Sequence, residues 1–300
     1  MPLTPQQLAD PKVVGAVTRL EFHAREVVEG YISGLHKSPY HGFSVEFAQH
    51  REYTPGDEIR YIDWKVAARS DRYYVKEFEE ETNLKAHLLV DTSESMRYKG
   101  RRREFTKLEY ASILAAGLSS LLIQQRDAAG LVLFNDGVQK NIPPRATGTH
   151  FTLLLEALAT AESKPKSALA PTFHEIAEQV RRKGLIVIFS DLFGDLEDVV
   201  GGLRHFRHRG HEVIVFQILD EDEINFPFND LTKFEGLELE PELLVDPRGI
   251  REEYLQAFNS FCTELERRCR EIRVDLVRTV TSDPAADALS KYLSGRRGKK

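Results

Sequence analysis

From residue 85 onward, short apolar runs alternate with longer stretches of helical period, and this alternation restricts the fold more than any other feature. Lys85–Val90, Ala129–Phe134, Leu185–Phe189 and Glu212–Leu219 read as strands, with a late strand over Arg273–Val277. Lys107–Gln125, His150–Thr160, Thr172–Lys183, Leu196–His208 and Arg251–Glu271 read as helices, and Gly210 stands where a helix C-cap would need it. The strand runs are apolar at successive positions, Leu185-Ile-Val-Ile-Phe189 most plainly, as in parallel strands buried on both faces. The pattern predicts an α/β class, a doubly wound, mostly parallel sheet of Rossmann type with helices on both faces. Asn135-Asp-Gly137 signals a hairpin into Val138–Ile142. The stretch Phe226–Gly249 reads as a small hairpin excursion, with Leu237-Glu-Leu-Glu240 pairing with Leu243–Val245.

The 300 residues divide near residue 84 into a smaller region, 1–84, and a larger one, 85–300. The smaller region opens with a helix over about Pro11–Tyr31, on the spacing of Val13, Val17, Leu20, Val27 and Val28. A stretch rich in glycine, proline, aromatics and charge follows, with the turn Thr54-Pro-Gly-Asp57 and a short strand over Tyr73–Glu77.

Net charge is −6 with an isoelectric point near 6.0, which argues against a chain built to hold nucleic acid. The basic set Arg204, His205, Arg207, His208 and Arg209 reads as a solvated helix face. No signal peptide opens the chain, and no apolar run is long enough to span a membrane, so a cytoplasmic protein is expected. Cys262 and Cys269 fall two turns apart on one helix face, too far for a disulfide within an intact helix, and read as reduced thiols.

In doubly wound sheets ligands sit at the carboxyl ends of the strands. Two strands end there in aspartate: Asp91 closes the first, and Ser190-Asp191 follows Leu185–Phe189. Asp91-Thr-Ser93-Glu-Ser95 sets one carboxylate and two hydroxyls at alternate positions of a loop leaving a strand. Such hard oxygen donors suit Mg2+ or Mn2+. Asp191 could hold a ligating water from behind. Thr172, at the start of a helix, could add a hydroxyl, with Thr147 and Thr149 as competing suppliers. Ser93 and Ser95 also fit turn or N-cap roles, and Thr172 after Pro171 also fits a helix N-cap.

The strand followed by Asp91-Thr-Ser93-Glu-Ser95 resembles the metal-ion-dependent adhesion site of von Willebrand factor A domains. Upstream, Glu46-Phe47, Arg51-Glu-Tyr53, Pro55-Gly-Asp57, Arg60, Ile62-Asp-Trp64, Ala68-Arg69, Val75-Lys76 and Glu77-Phe78 follow in order. That string resembles the bacterial family called domain of unknown function 58, which joins such a region to a von Willebrand A-like domain. The resemblance covers Gly34 to Leu219. It implies metal roles for Asp91, Ser93, Ser95, Asp191 and Thr172, although Thr172 lacks a preceding glycine of the Gly-Thr kind. It also implies a MoxR-type AAA+ ATPase as a partner, and so a non-enzymatic adaptor that bridges an acidic residue through its metal. The charged and aromatic upstream string reads either as a salt-bridged scaffold or as a docking face.

An enzyme that transfers phosphoryl groups through Asp91 is the alternative. The haloacid-dehalogenase-like pattern, however, needs a second aspartate where this chain has Ser93. The chain has no G-x-x-x-x-G-K-[ST] loop and no G-x-S-x-G elbow.

Overall fold

The computed structural model of the chain describes residues 44–54, 63, 64, 66, 73–81, 84–101, 103–163, 169–234 and 243–289. They fall into two compact units that divide between Leu84 and Lys85. The helix expected over Pro11–Tyr31, the run Leu237–Glu240 and, within the upstream string, Pro55-Gly-Asp57, Arg60, Ile62, Ala68 and Arg69 lie outside the described residues.

In the smaller unit, β1 (Ser44–Glu52) pairs antiparallel with β2 (Tyr74–Glu81), with a bulge between Phe47 and Gln49. The second strand is thus longer than expected and starts one residue later. Tyr53 N–H donates to the Tyr73 carbonyl at 2.9 Å, and Asp63 N–H to the Tyr74 carbonyl at 2.8 Å. The Tyr73 ring meets Tyr53 and Trp64 edge-on, at 6.5 and 6.3 Å between centroids.

The larger unit runs β3 (Lys85–Asp91), α1 (Lys107–Gln124), β4 (Ala128–Phe134), β5 (Val138–Arg145), α2 (Gly148–Ala159), α3 (Leu169–Gln179) and β6 (Leu185–Ser190). It continues with α4 (Leu196–His208), β7 (Glu212–Leu219), α5 (Glu221–Asn225), β8 (Thr232–Phe234), β9 (Leu243–Val245), α6 (Pro247–Glu271) and β10 (Asp275–Val280). A six-stranded sheet is ordered β10-β7-β6-β3-β4-β5. Its strands are parallel apart from β5, which returns antiparallel to β4 through the Asn135-Asp-Gly137 turn. The expected doubly wound, mostly parallel α/β sheet is therefore the fold.

Both faces of the sheet are buried. Leu89, Val132, Ile186, Ile188, Val213 and Val215 pack with Phe173, Ile176, Leu203, Phe206 and Leu265 from α3, α4 and α6. The alternating residues Leu88, Val90, Leu131, Val187, Phe189 and Phe216 are equally buried and face the other way, where α1 packs on β3, β4, β6 and β7. Apolar surface on both sides explains why these strands carry no polar alternation.

One boundary that differs from the sequence reading bears on the site. Helix α3 begins at Leu169, so Thr172 is its fourth residue rather than its cap. Pro171 is tolerated there because first-turn N–H groups have no intrahelical partner to lose. Strand β9 pairs antiparallel with β8, Thr232 opposite Val245, while the expected partner Leu237–Glu240 lies outside the described residues. Thr232 and Phe234 are the β-branched and aromatic types that favour such a ladder. Cys262 and Cys269 are free and buried in α6.

Candidate functional site

Strands β3 and β6 are neighbours. The chain winds away from them in opposite directions, from β3 to β4 and from β6 to β7. That is the topological switch point, where an open α/β sheet leaves a crevice beyond its carboxyl edge. Asp91 and Asp191 leave the sheet there, both fully buried.

Asp91 Oδ1 accepts the Ser93 N–H at 2.9 Å, which folds the loop back on the carboxylate. Its Oδ2 accepts the Ser190 hydroxyl at 2.5 Å. Thr92 turns the other way, and its N–H and hydroxyl both reach the Phe134 carbonyl, at 2.7 and 2.9 Å. With Thr92 anchored on β4, Ser93 and Ser95 come to one side, their hydroxyl oxygens 3.0 Å apart. A single 3-10 turn, Glu94–Arg97, follows, with Met96 buried beneath it.

Ser190 links the two strand ends. Its hydroxyl donates to Asp91 and accepts the Leu192 N–H at 3.0 Å. Leu192 has φ +57°, in the left-handed region, which costs a non-glycine residue about 1–2 kcal/mol. Its buried side chain and these two hydrogen bonds hold the turn against that cost.

Asp191 faces a cation. Its Oδ1 accepts the Phe193 N–H at 3.2 Å, and its Oδ2 accepts Lys107 Nζ at 2.9 Å. Lys107 is the first residue of α1, held by a capping box in which Thr106 and Glu109 each bond the other's backbone N–H. Its ammonium is fully buried, also donates to Glu223 Oε1 at 2.6 Å, and lies 5.2 Å from the centre of the Phe193 ring. Burial pulls the Lys107 pKa down, but Asp191 and Glu223 together outweigh it and hold the ammonium charged. Burial raises the Glu223 carboxyl, against the pull of Lys107.

Thr172 is buried on α3, and its hydroxyl donates to the Asn135 carbonyl at 3.3 Å, beside the end of β4. Thr147 and Thr149 belong to the opposite edge. His150, next to them, bonds the carbonyl of Ala129 at the start of β4 at 2.8 Å. The structure thus places Thr172, not these two, on the edge that carries Asp91.

The family described as Protein of unknown function DUF58 matches residues 49–261. This chain belongs to the DUF58 family. An uncharacterized protein of Mycobacterium tuberculosis (strain H37Rv) is 27% identical over 295 residues, covering 96% of this chain and 92% of that one. YeaD of Bacillus subtilis is 31% identical over 180 residues, 58% of this chain and 42% of its own length. Among solved structures, BatB of Bacteroides thetaiotaomicron is 16% identical with a TM-score of 0.47, covering 72% of this chain and all 100% of that one. The SpRpn10 VWA domain is 13% identical with a TM-score of 0.38, covering 69% of this chain and 94% of its own.

Four residues of this DUF58 chain escaped the sequence reading: Ser190, Lys107, Glu223 and Asp220. Asp220 ends a third strand in aspartate, after Leu219, and that pattern was visible. Its Oδ2 accepts the Gly100 N–H at 3.2 Å and the Thr281 hydroxyl at 2.7 Å. It therefore ties down the loop that continues from Ser95. A Cβ on Gly100 would lie 2.5 Å from Asp220 Oδ1, so only glycine permits this approach. Tyr98 hydroxyl donates to Asp222 at 3.0 Å and Arg103 pairs with Glu221, so both side chains hold the first turn of α5.

Among the described residues no group of three or more His, Cys, Asp or Glu is placed to hold a metal. A cation at this edge would thus rest on Asp91 and on hydroxyls. That donor set fits a hard ion. Cis ligands in an octahedron with 2.0–2.1 Å bonds lie about 3 Å apart, and the Ser93 and Ser95 oxygens are separated by 3.0 Å.

Proposed function

We propose that this chain is a non-enzymatic, protein-binding adaptor that holds Mg2+ or Mn2+ with Asp91, Ser93 and Ser95. The observation that carries the reading is the pair of hydroxyls 3.0 Å apart beside a buried carboxylate at the switch point of the sheet. The bound ion would supply an open coordination position for a carboxylate oxygen of a partner. The protein's own residues prepare that place. Ser190 orients Asp91, Thr92 anchors the loop, and Met96 seals it from below. Thr172 and Asp191, at the same edge of the sheet, are the candidates to hold a ligating water.

Two features favour binding over phosphoryl transfer. Both Asp91 oxygens accept hydrogen bonds from groups fixed by the fold, which weakens it as a nucleophile. Ser93, at the place a general acid–base aspartate would take, carries no titratable carboxyl. The resemblance to domain of unknown function 58 proteins supports a MoxR-type AAA+ ATPase, or a client bearing an acidic residue, as the partner in the cytoplasm. Among the described residues no helix is long and apolar enough to cross a membrane.

The test is retention of a purified MoxR-type ATPase from the same genome on the immobilised chain, in Mg2+ and in EDTA. Retention in Mg2+ that is lost in EDTA and with Asp91→Ala is expected. Equal retention in EDTA would contradict the proposal. Phosphate release from a generic ester, abolished by Asp91→Asn, would replace it with the enzyme reading.

A further inference from the structure

A lysine with no exposed surface, placed against an aspartate of a cation site, calls for an explanation. Lys107 lies at the crevice by construction, because the Thr106–Glu109 capping box starts α1 there. Its charge is not accidental to packing, since two carboxylates meet it at 2.9 and 2.6 Å. Asp191 is turned towards Lys107 through Oδ2 while Oδ1 takes the Phe193 N–H. The carboxylate that would otherwise add a second full negative charge for a cation is thus paired with Lys107 and neutralised from within.

We propose that Lys107 is a positioning residue that withholds the charge of Asp191 from the cation, so that the site takes its last anionic ligand from a partner. The inference rests on the metal-binding reading and adds to it the reason why binding depends on the partner. An ion held by one carboxylate and neutral hydroxyls, beside a fixed ammonium, keeps positive charge and an open position. An incoming Asp or Glu then meets an attractive site, and the ion alone binds weakly. Without Lys107, Asp191 would supply that charge itself, and the ion would be held tightly whether or not a partner came. Glu223 serves as the second anchor that keeps Lys107 in place, with Tyr254 donating from its hydroxyl to the Glu223 carbonyl at 3.0 Å.

The experiment measures Mn2+ affinity by calorimetry in wild type, Lys107→Arg, Lys107→Met and the double variant Lys107→Met with Glu223→Gln. The double variant is included because Lys107→Met alone leaves the buried Asp191 carboxylate beside the partly buried Glu223 one with no cation between them, and folding is checked by circular dichroism in every case. Removing the Lys107 charge predicts Mn2+ binding tighter by about tenfold or more in folded Lys107→Met. The double variant also loses the Glu223 charge, so its net charge is that of wild type, and it is expected to bind tighter than wild type through the released Asp191 alone. Lys107→Arg is expected to stay near wild type. Added acetate or a short acidic peptide is expected to raise the Mn2+ affinity of wild type more than that of the double variant. Unchanged or weaker Mn2+ binding in the folded double variant, beside a wild type that binds, would overturn this inference and leave the metal site standing. No binding in wild type and variants alike would overturn the metal reading and this inference with it.

Discussion

Ser190 is the residue on which the two strand ends depend. Its hydroxyl satisfies a buried carboxylate oxygen and the N–H of a left-handed leucine at once. Ser190→Ala removes one hydrogen bond from each of these groups in a dry place, at a cost of about 1–3 kcal/mol. An unfolding free energy lowered by that amount, read as a lower urea midpoint at unchanged slope, is the expected result. His87 makes a second prediction. Its own burial first, then the charges of His211 and Lys85, lower its pKa from 6.5 to about 4. The folded protein keeps the neutral imidazole, while the unfolded chain takes a proton near 6.5. This contribution is therefore fully present above pH 6.5, drains away as pH falls, and is gone below about 4. Urea titrations across that window should show the loss, and His87→Leu should flatten it. At this scale Asp91, Ser93 and Ser95 were legible, because alternate positions of a loop leaving a strand converge. The ion pair of Lys107 with Asp191 was not. The two stand 84 positions apart, and only the packing of α1 over the sheet brings them together.

Among the elements, α1 carries the most. It is buried around most of its circumference, and its first residue is the site's cation. Thr106→Ala removes one half of the capping box, so a loss of about 1 kcal/mol is expected in chemical unfolding. If the box also sets where Lys107 stands, the same variant shifts Mn2+ affinity in the direction of Lys107→Met. Helices α3 and α4 approach so closely that a Cβ on Gly202 would lie 2.7 Å from Phe173 side-chain atoms. Gly202→Val is expected to lower the unfolding free energy by about 1–3 kcal/mol through overpacking, read as a lower urea midpoint. Thr172 stands one residue from Phe173 on the same helix, so Mn2+ affinity read alongside tests whether α3 supports the site. Helix existence and type were legible from apolar period. The start of α3 was not, because proline at the third position of a helix reads as a boundary in sequence yet costs nothing in the first turn.

For the whole larger unit, sheet order decides where function can sit. The order β10-β7-β6-β3-β4-β5 was foreshadowed only as a class, because apolar runs tell that strands are central and parallel but not which are neighbours. The turn Asn135-Asp-Gly137 gave away the one antiparallel return. Once β3 and β6 are adjacent, Asp91 and Asp191 leave the sheet at the same edge, and the proposed chemistry there rests on Asp91, Ser93, Ser95, Asp191 and Lys107. The most direct test of that chemistry is titration calorimetry with Mg2+ and Mn2+ on the wild type and on the Ser93→Ala, Ser95→Ala double variant, both confirmed folded. Saturable binding to the wild type at one site, lost or weakened at least tenfold in the double variant, is the predicted result. No binding to a folded wild type with Mg2+ or Mn2+, or equal binding to both proteins, would contradict it.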